Sequence, residues 1–164
     1  MLNVQAIKHV DITEEQLLKI CKIKEAFGNY TIESQLSWIE RNMKAEDIHF
    51  LIHNDNKLIA YSNLVKEMII IDNNNLSILG VGNVCVDEKG KDKGKLLILE
   101  INKYIMANNR IGLLFCKKSL IKFYEKYDWR LIQPNFSDNI YWMIFNFDID
   151  TLSTKKICYE GKVF

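Results

Sequence analysis

The stretch from Asn83 to Leu97, Asn-Val-Cys-Val-Asp-Glu-Lys-Gly-Lys-Asp-Lys-Gly-Lys-Leu-Leu, constrains this chain more than any other. An apolar run with the character of a buried strand gives way to a polar loop with four lysines and two glycines, and a helical pattern follows. Leu97, Ile101, Tyr104 and Ile105 form the apolar face of that helix, which should end near Asn108 and Asn109. Ile111 to Cys116 is then continuously apolar, as in a strand buried on both faces. Because a helix joins the two strands, they should lie parallel, with a right-handed crossover.

A strand, a short glycine-containing loop and a helix start make an anion site. The first helical N–H groups have no partner inside the helix, and the macrodipole places roughly half a positive charge there. A phosphate or pyrophosphate satisfies those donors, and glycines let the backbone come close to it. Lys89, Lys91, Lys93 and Lys95 add screened positive charge. Taken alone, a lysine-rich loop reads as a solvated surface turn, so the surrounding elements have to decide.

Those elements change period along the chain. Asn3 to His9 alternates weakly, as a first strand would. Thr13 and Gln16 have the spacing of a capping box, and Leu17, Ile20, Cys21 and Phe27 continue it at helical spacing up to Gly28. A second helix is predicted after Thr31, with Ile32, Leu36, Ile39 and Met43 as its apolar stripe. From His49 the pattern is that of strands. Phe50 to His53 and Lys57 to Val65 flank a turn at 54 to 56, and Met68 to Asp72 and Leu76 to Val86 flank Asn73 to Asn75, which predicts two hairpins. Gly80 and Gly82 suggest a bulge or a close approach in the last of these strands. Beyond Cys116, Leu120, Phe123, Tyr124 and Tyr127 predict a short helix, and strands are expected near Trp129 to Ile132 and Ile140 to Phe147.

A chain of 164 residues, 48% of them hydrophobic, can bury a substantial core as one domain over 1–164. The formal net charge of +1 argues against general affinity for nucleic acid or a membrane surface. Cys21, Cys85, Cys116 and Cys158 are widely spaced, with no CxxC pair and no histidine at a ligand spacing, so reduced and mostly buried thiols are expected and no metal. No run reaches the ~20 apolar residues that span a bilayer, and the N-terminus lacks a signal-like stretch, which together point to a cytoplasmic protein. Ile157, Tyr159, Val163 and Phe164 suggest that the tail packs on the domain or on a second subunit, a homodimer being one arrangement.

The element order resembles the GNAT superfamily of acyl-CoA-dependent N-acetyltransferases, and two segments carry the resemblance. Lys89-Gly90-Lys91-Asp92-Lys93-Gly94 stands where that family has Gln/Arg-x-x-Gly-x-Gly/Ala, with Lys89 replacing the usual Gln or Arg and Asp92 the middle Gly. Phe123-Tyr124-Glu125-Lys126-Tyr127-Asp128-Trp129 is similar to the family's Phe-Tyr-x-x-x-Gly-Phe/Trp, with Asp128 where Gly is usual. The resemblance implies a mixed α/β fold: a mostly antiparallel sheet of six to seven strands, about four helices, and a parallel strand pair that splays apart.

It also implies a chemistry. Acetyl-CoA would place its pyrophosphate on the loop from Lys89 to Lys95, comprising Lys89, Gly90, Lys91, Asp92, Lys93, Gly94 and Lys95. The backbone of Val84, Cys85 and Val86 would pair with the pantetheine arm as an added strand does. A backbone N–H there would stabilise the oxyanion as a primary amine attacks the thioester directly. Tyr124 matches the family's general acid, which protonates the leaving thiolate; its place on an apolar helix face equally suits plain packing. The acceptor site of the family lies at the first two helices, where Tyr30, Gln35 and Trp38 are the candidates. His49, His53 and Glu67 are candidate bases, none singled out. Competing readings are a catalytically weak CoA-binding module, an acetyltransferase of protein amines, and an anion or nucleic-acid binder, the last disfavoured by the near-neutral charge.

Overall fold

The computed structural model describes residues 1–25, 27–28, 30–90, 92–132, 140–148, 150 and 157–161. The strands are β1 (Leu2–Lys8), β2 (Ile48–Asn54), β3 (Lys57–Ile71), β4 (Asn74–Val86), β5 (Gly112–Cys116), β6 (Arg130–Ile132), β7 (Tyr141–Phe145) and β8 (Ile157–Cys158). The helices are α1 (Glu14–Glu25), α2 (Ile32–Asn42), α3 (Lys93–Ala107) and α4 (Ile121–Glu125), with single 3-10 turns at His9–Asp11 and Lys118–Leu120. Hydrogen-bonded order along the sheet is β1-β2-β3-β4-β5-β7-β6, and β8 adds to β3. All described pairings are antiparallel except β4 with β5, which is parallel as the crossover required.

Three details differ from the sequence reading. Lys57 to Ile71 is one continuous strand shared by both hairpins, because the polar pair Lys66 and Glu67 interrupts the apolar run without breaking the ladder. The second hairpin turns at Asp72 and Asn73, whose φ values of 47° and 67° are left-handed, so Asn74 and Asn75 already belong to β4. Within β4, Asn83, with φ 49°, takes the left-handed conformation. Asparagine tolerates that region better than other non-glycine residues. The short β8 is an additional strand in the tail.

The chain divides into two compact units. The first holds Met1–Val65 and Asn83–Glu100. In it, α1 opens on the Thr13–Gln16 capping box: the Gln16 carboxamide oxygen accepts from Thr13 N–H at 3.0 Å, and Thr13 Oγ1 accepts from Gln16 N–H at 3.3 Å. Thr31 caps α2 by accepting from Ser34 N–H at 3.2 Å. Ile20 and Ile23 of α1 pack on Leu51, Leu58, Tyr61 and Cys85 of β2, β3 and β4, while Cys21 packs with Ile39 and Met43 at the α1–α2 contact. Burying such side chains stabilises by about 1.5–3 kcal/mol each before entropy is counted.

The second unit holds Lys66–Gly82 and Ile101–Phe164. Its core joins Ile69, Ile71, Ile78, Leu113, Ile132, Trp142 and Ile144. Trp129 is fully buried, and its Nε1–H donates to Asn102 Oδ1 at 2.9 Å while Asn102 Nδ2 donates to the Tyr127 carbonyl at 2.9 Å. The tail contributes through β8 and Tyr159, whose ring meets Trp142 edge-on with centroids 6.0 Å apart.

Candidate functional site

Beginning with the loop, Gly90 and Asp92 have φ values of 82° and 54°, so two left-handed residues turn the chain from β4 into α3. Asp92 adopts the conformation a glycine would have supplied, and its carbonyl accepts the first helical bond, from Leu96 N–H at 2.9 Å. The N–H groups of Lys93, Gly94 and Lys95 therefore lie in the turn that α3 cannot satisfy itself, and no described side chain caps them. Nothing stands within 4 Å of the position a Gly90 Cβ would take. Free amides beside an open, glycine-containing turn fit a pyrophosphate.

Of the four lysines, Lys93 is turned inward. It pairs with Asp87 and, at 3.4 Å, with Glu88, while Lys57 reaches the other Asp87 oxygen at 2.7 Å. Burial would raise the Asp87 pKa, but the two ammonium groups outweigh it and hold the carboxyl below its ordinary value. The Asp87 hydrogen bond raises the Lys93 pKa in turn. Lys89 lies over the Phe27 ring, 5.2 Å from its centroid, and Lys95 is exposed. Lys91 lies outside the described residues. The loop thus offers an anion its backbone amides first and its side-chain charges second.

The strand before the loop carries the other candidates. Registered pairs with β5 run from Leu79↔Gly112 to Val81↔Leu114, and β4 then turns at Asn83, whose Nδ2 donates to Asn63 Oδ1 at 3.0 Å. Val84 and Val86 are half-buried, whereas Cys85 faces the core of the first unit. Burial pushes the Cys85 thiol up to about 12, so it is no nucleophile at neutral pH.

Tyr124 sits in the short helix α4 and is 6% exposed. Its ring meets Phe123 and Trp129 edge-on, with centroids 5.1 and 6.3 Å away. The hydroxyl makes no hydrogen bond among the described residues. Burial, with a smaller contribution from Cys116, raises its pKa and keeps the phenol protonated at neutral pH. The helix ends as the family-like segment requires: Trp129 N–H donates to the Tyr124 carbonyl at 3.4 Å, and Asp128 takes φ 65° where a glycine is usual.

At the first two helices, Gln35 is 4% exposed and its Nε2 donates to the Cys21 and Tyr30 carbonyls, each at 3.2 Å. Its Oε1 is buried and has no hydrogen-bond partner among the described residues. Trp38 is half-buried, packs against the Cys21, Ile39 and Met43 cluster, and carries the Lys24 ammonium 5.3 Å from its ring centroid. Tyr30 is 68% exposed.

Sequence reasoning did not find two features here. One is Lys24 itself; the other is a chain of three rings, His9 Nδ1 to His49 Nε2 at 2.9 Å and His49 Nδ1 to the Tyr61 hydroxyl at 3.0 Å. The alternation that puts His49, Leu51 and Tyr61 on one face was available, but the chain of rings joins β2 and β3 to the 3-10 turn that follows β1 and needs the register. Burial, then His9 and Lys24, lowers the His49 pKa to about 4, so the ring is neutral and a weak base. His53 Nδ1 is buried with no hydrogen-bond partner among the described residues.

Solved structures match this fold across most of its length. ElaA from Escherichia coli is 17% identical, with a TM-score of 0.69 over 89% of this chain and 100% of that one. An acyl-CoA N-acyltransferase from Pseudomonas aeruginosa gives 14%, 0.67, 88% and 99% for the same quantities, and the N-acetyltransferase PseH from Campylobacter jejuni 16%, 0.60, 87% and 96%. The chain has the GNAT fold. No family model and no curated protein sequence matches it. The GNAT order of helices and strands places its loop of left-handed residues, Gly90 and Asp92, directly before α3. Among the described residues no helix is long and apolar enough to cross a membrane, and no cluster of His, Cys, Asp and Glu is arranged to hold a metal ion.

Proposed function

We propose that this chain is an N-acetyltransferase that moves an acetyl group from acetyl-CoA to the primary amine of a small molecule by direct attack, with 1–164 serving that one activity. The observation that carries the reading is the first turn of α3, which no side chain caps among the described residues and which follows the left-handed Gly90 and Asp92 in a GNAT fold. When bound, acetyl-CoA supplies an activated acyl thioester. The amides of Lys93, Gly94 and Lys95 hold its diphosphate, with Lys89, Lys91 and Lys95 adding screened charge. Backbone groups of Val84, Cys85 and Val86 align the pantetheine arm, and an N–H among them polarises the carbonyl under attack. Tyr124 donates its hydroxyl proton to the departing thiolate and recovers one from the amine nitrogen, which turns cationic on attack; its raised pKa keeps the phenol protonated until the intermediate collapses. The cytoplasm, where acetyl-CoA and reduced thiols coexist, is the compartment this reading requires.

A catalytically weak CoA-binding module was suggested by the aspartates at 92 and 128. Both adopt the left-handed backbone that glycine would, which weakens that motive.

Acetyl-CoA should raise the melting temperature saturably, because a ligand that binds only the folded chain stabilises it by mass action. Thiol release with a panel of amines should fall about 100-fold or more in kcat for Tyr124→Phe, with the acetyl-CoA Kd unchanged. No melting shift at millimolar acetyl-CoA would sink the reading; unchanged turnover in the variant would remove the acid role of Tyr124 alone.

A further inference from the structure

Two polar groups at the α1–α2 contact are incompletely paired among the described residues. The Lys24 ammonium is half-buried, rests on the Trp38 indole face at 5.3 Å, and has no carboxylate within ion-pair distance among the described residues. Burial lowers its pKa, with Cys85 and Cys21 acting weakly the other way. Removing a charge from water without a counter-ion is costly, by several kcal/mol when burial is deep. One turn earlier on each helix, Gln35 Nε2 holds the Cys21 carbonyl while Gln35 Oε1, buried in a side chain that is 4% exposed, has no donor. An orphaned acceptor of this kind also carries a desolvation cost. The two groups differ in what they lack: Lys24 needs an anion and Gln35 Oε1 needs an N–H.

We propose that Lys24, Gln35 and Trp38 form the acceptor subsite and that its ligand is a small primary amine carrying an anionic group, a carboxylate or a phosphate. The anion pairs with Lys24, an ammonium N–H donates to Gln35 Oε1, and the ligand's carbon skeleton lies against the Trp38 ring. A resident cation repels polyamines and other polycations, so it selects against them as well as for the zwitterion. The choice of substrate class rests on the acyl-transfer reading; the binding site itself does not.

The test therefore has two arms. In the first, the indole N–H signal of Trp38, assigned with Trp38→Phe, is followed by NMR during titration with β-alanine and O-phosphoethanolamine, and separately with β-alaninamide and ethanolamine, which keep the amine and lack the anion. The pair that carries the anion should shift the signal saturably and the cationic pair that lacks it should bind about tenfold more weakly or worse, as expected for the loss of one charge-assisted contact. Lys24→Met should abolish the difference and Lys24→Arg should retain it, with melting temperatures checking that both variants fold. Equal binding of the two pairs, or no binding by either, overturns the proposal. In the second arm the same compounds are tried as acceptors in acetyl-CoA thiol release. Binding without thiol release leaves the subsite standing and sinks the acyl-transfer reading; release with both pairs at equal kcat/KM overturns the proposed selectivity.

Discussion

Single residues in the left-handed region mark where this chain departs from the sequences its fold resembles. Asp128, at φ 65°, closes α4 where a glycine would do so without strain. The left-handed conformation costs an ordinary L-residue roughly 1–2 kcal/mol, less for Asp, and glycine returns part of that gain through its larger unfolded-state entropy. Asp128→Gly should therefore stabilise the chain by about 0.5–1 kcal/mol and Asp128→Ala should destabilise it by about 1 kcal/mol, read by urea unfolding. The opposite order would mean that the aspartate carboxylate makes a compensating interaction there. The same reasoning explains why Asp92 does not disqualify the loop before α3: the chain reaches the required geometry with a less permissive residue.

Elements were legible in the sequence to the extent that they are fixed locally. The capping box of α1 and the Thr31 cap of α2 were readable because donor and acceptor lie three residues apart. The parallel β4–β5 pair followed from an obligatory crossover. Three things were not local and were not read: the insertion of β7 between β5 and β6, the addition of β8 to β3, and the unbroken course of β3 through Lys66 and Glu67. Among the candidate site residues, the loop before α3 and Tyr124 were singled out by motif, whereas Lys24 was not, because its contact with Trp38 exists only once α1 and α2 pack. The start of α2 bears directly on the proposed subsite, since Gln35 is in its first turn. Removing the Thr31 hydroxyl in Thr31→Ala leaves the Ser34 N–H without its acceptor and should cost about 1 kcal/mol. Amide exchange at Ser34 and Gln35 should quicken in this variant while exchange in β2 is unchanged outside global unfolding.

For the molecule as a whole, the buried imidazole of His49 sets a response to acid. His49 has no exposed surface, is bonded on both nitrogens, and its pKa is lowered to about 4 by burial first, then by His9 and Lys24. The folded chain thus holds a neutral ring that the unfolded chain protonates near pH 6.5. The unfolded state binds more protons, so stability is fully present above about pH 6.5 and is lost as pH falls from there to about 4. The depth of the shift corresponds to about 3 kcal/mol. Half-buried His53, its pKa also lowered by burial, adds a contribution of the same sign. The paired Asp87 acts in a separate window, losing its contribution only as pH falls below the ordinary carboxylate value near 3.8. Urea unfolding from pH 7.5 to 4.5 should show a steady loss in the wild-type chain. His49→Gln should be less stable at pH 7.5, because a well-packed ring is removed, yet lose much less on acidification. If its stability falls with pH as steeply as that of the wild type, the three-ring chain is not the source of the acid response, and His53 in the first unit becomes the group to test.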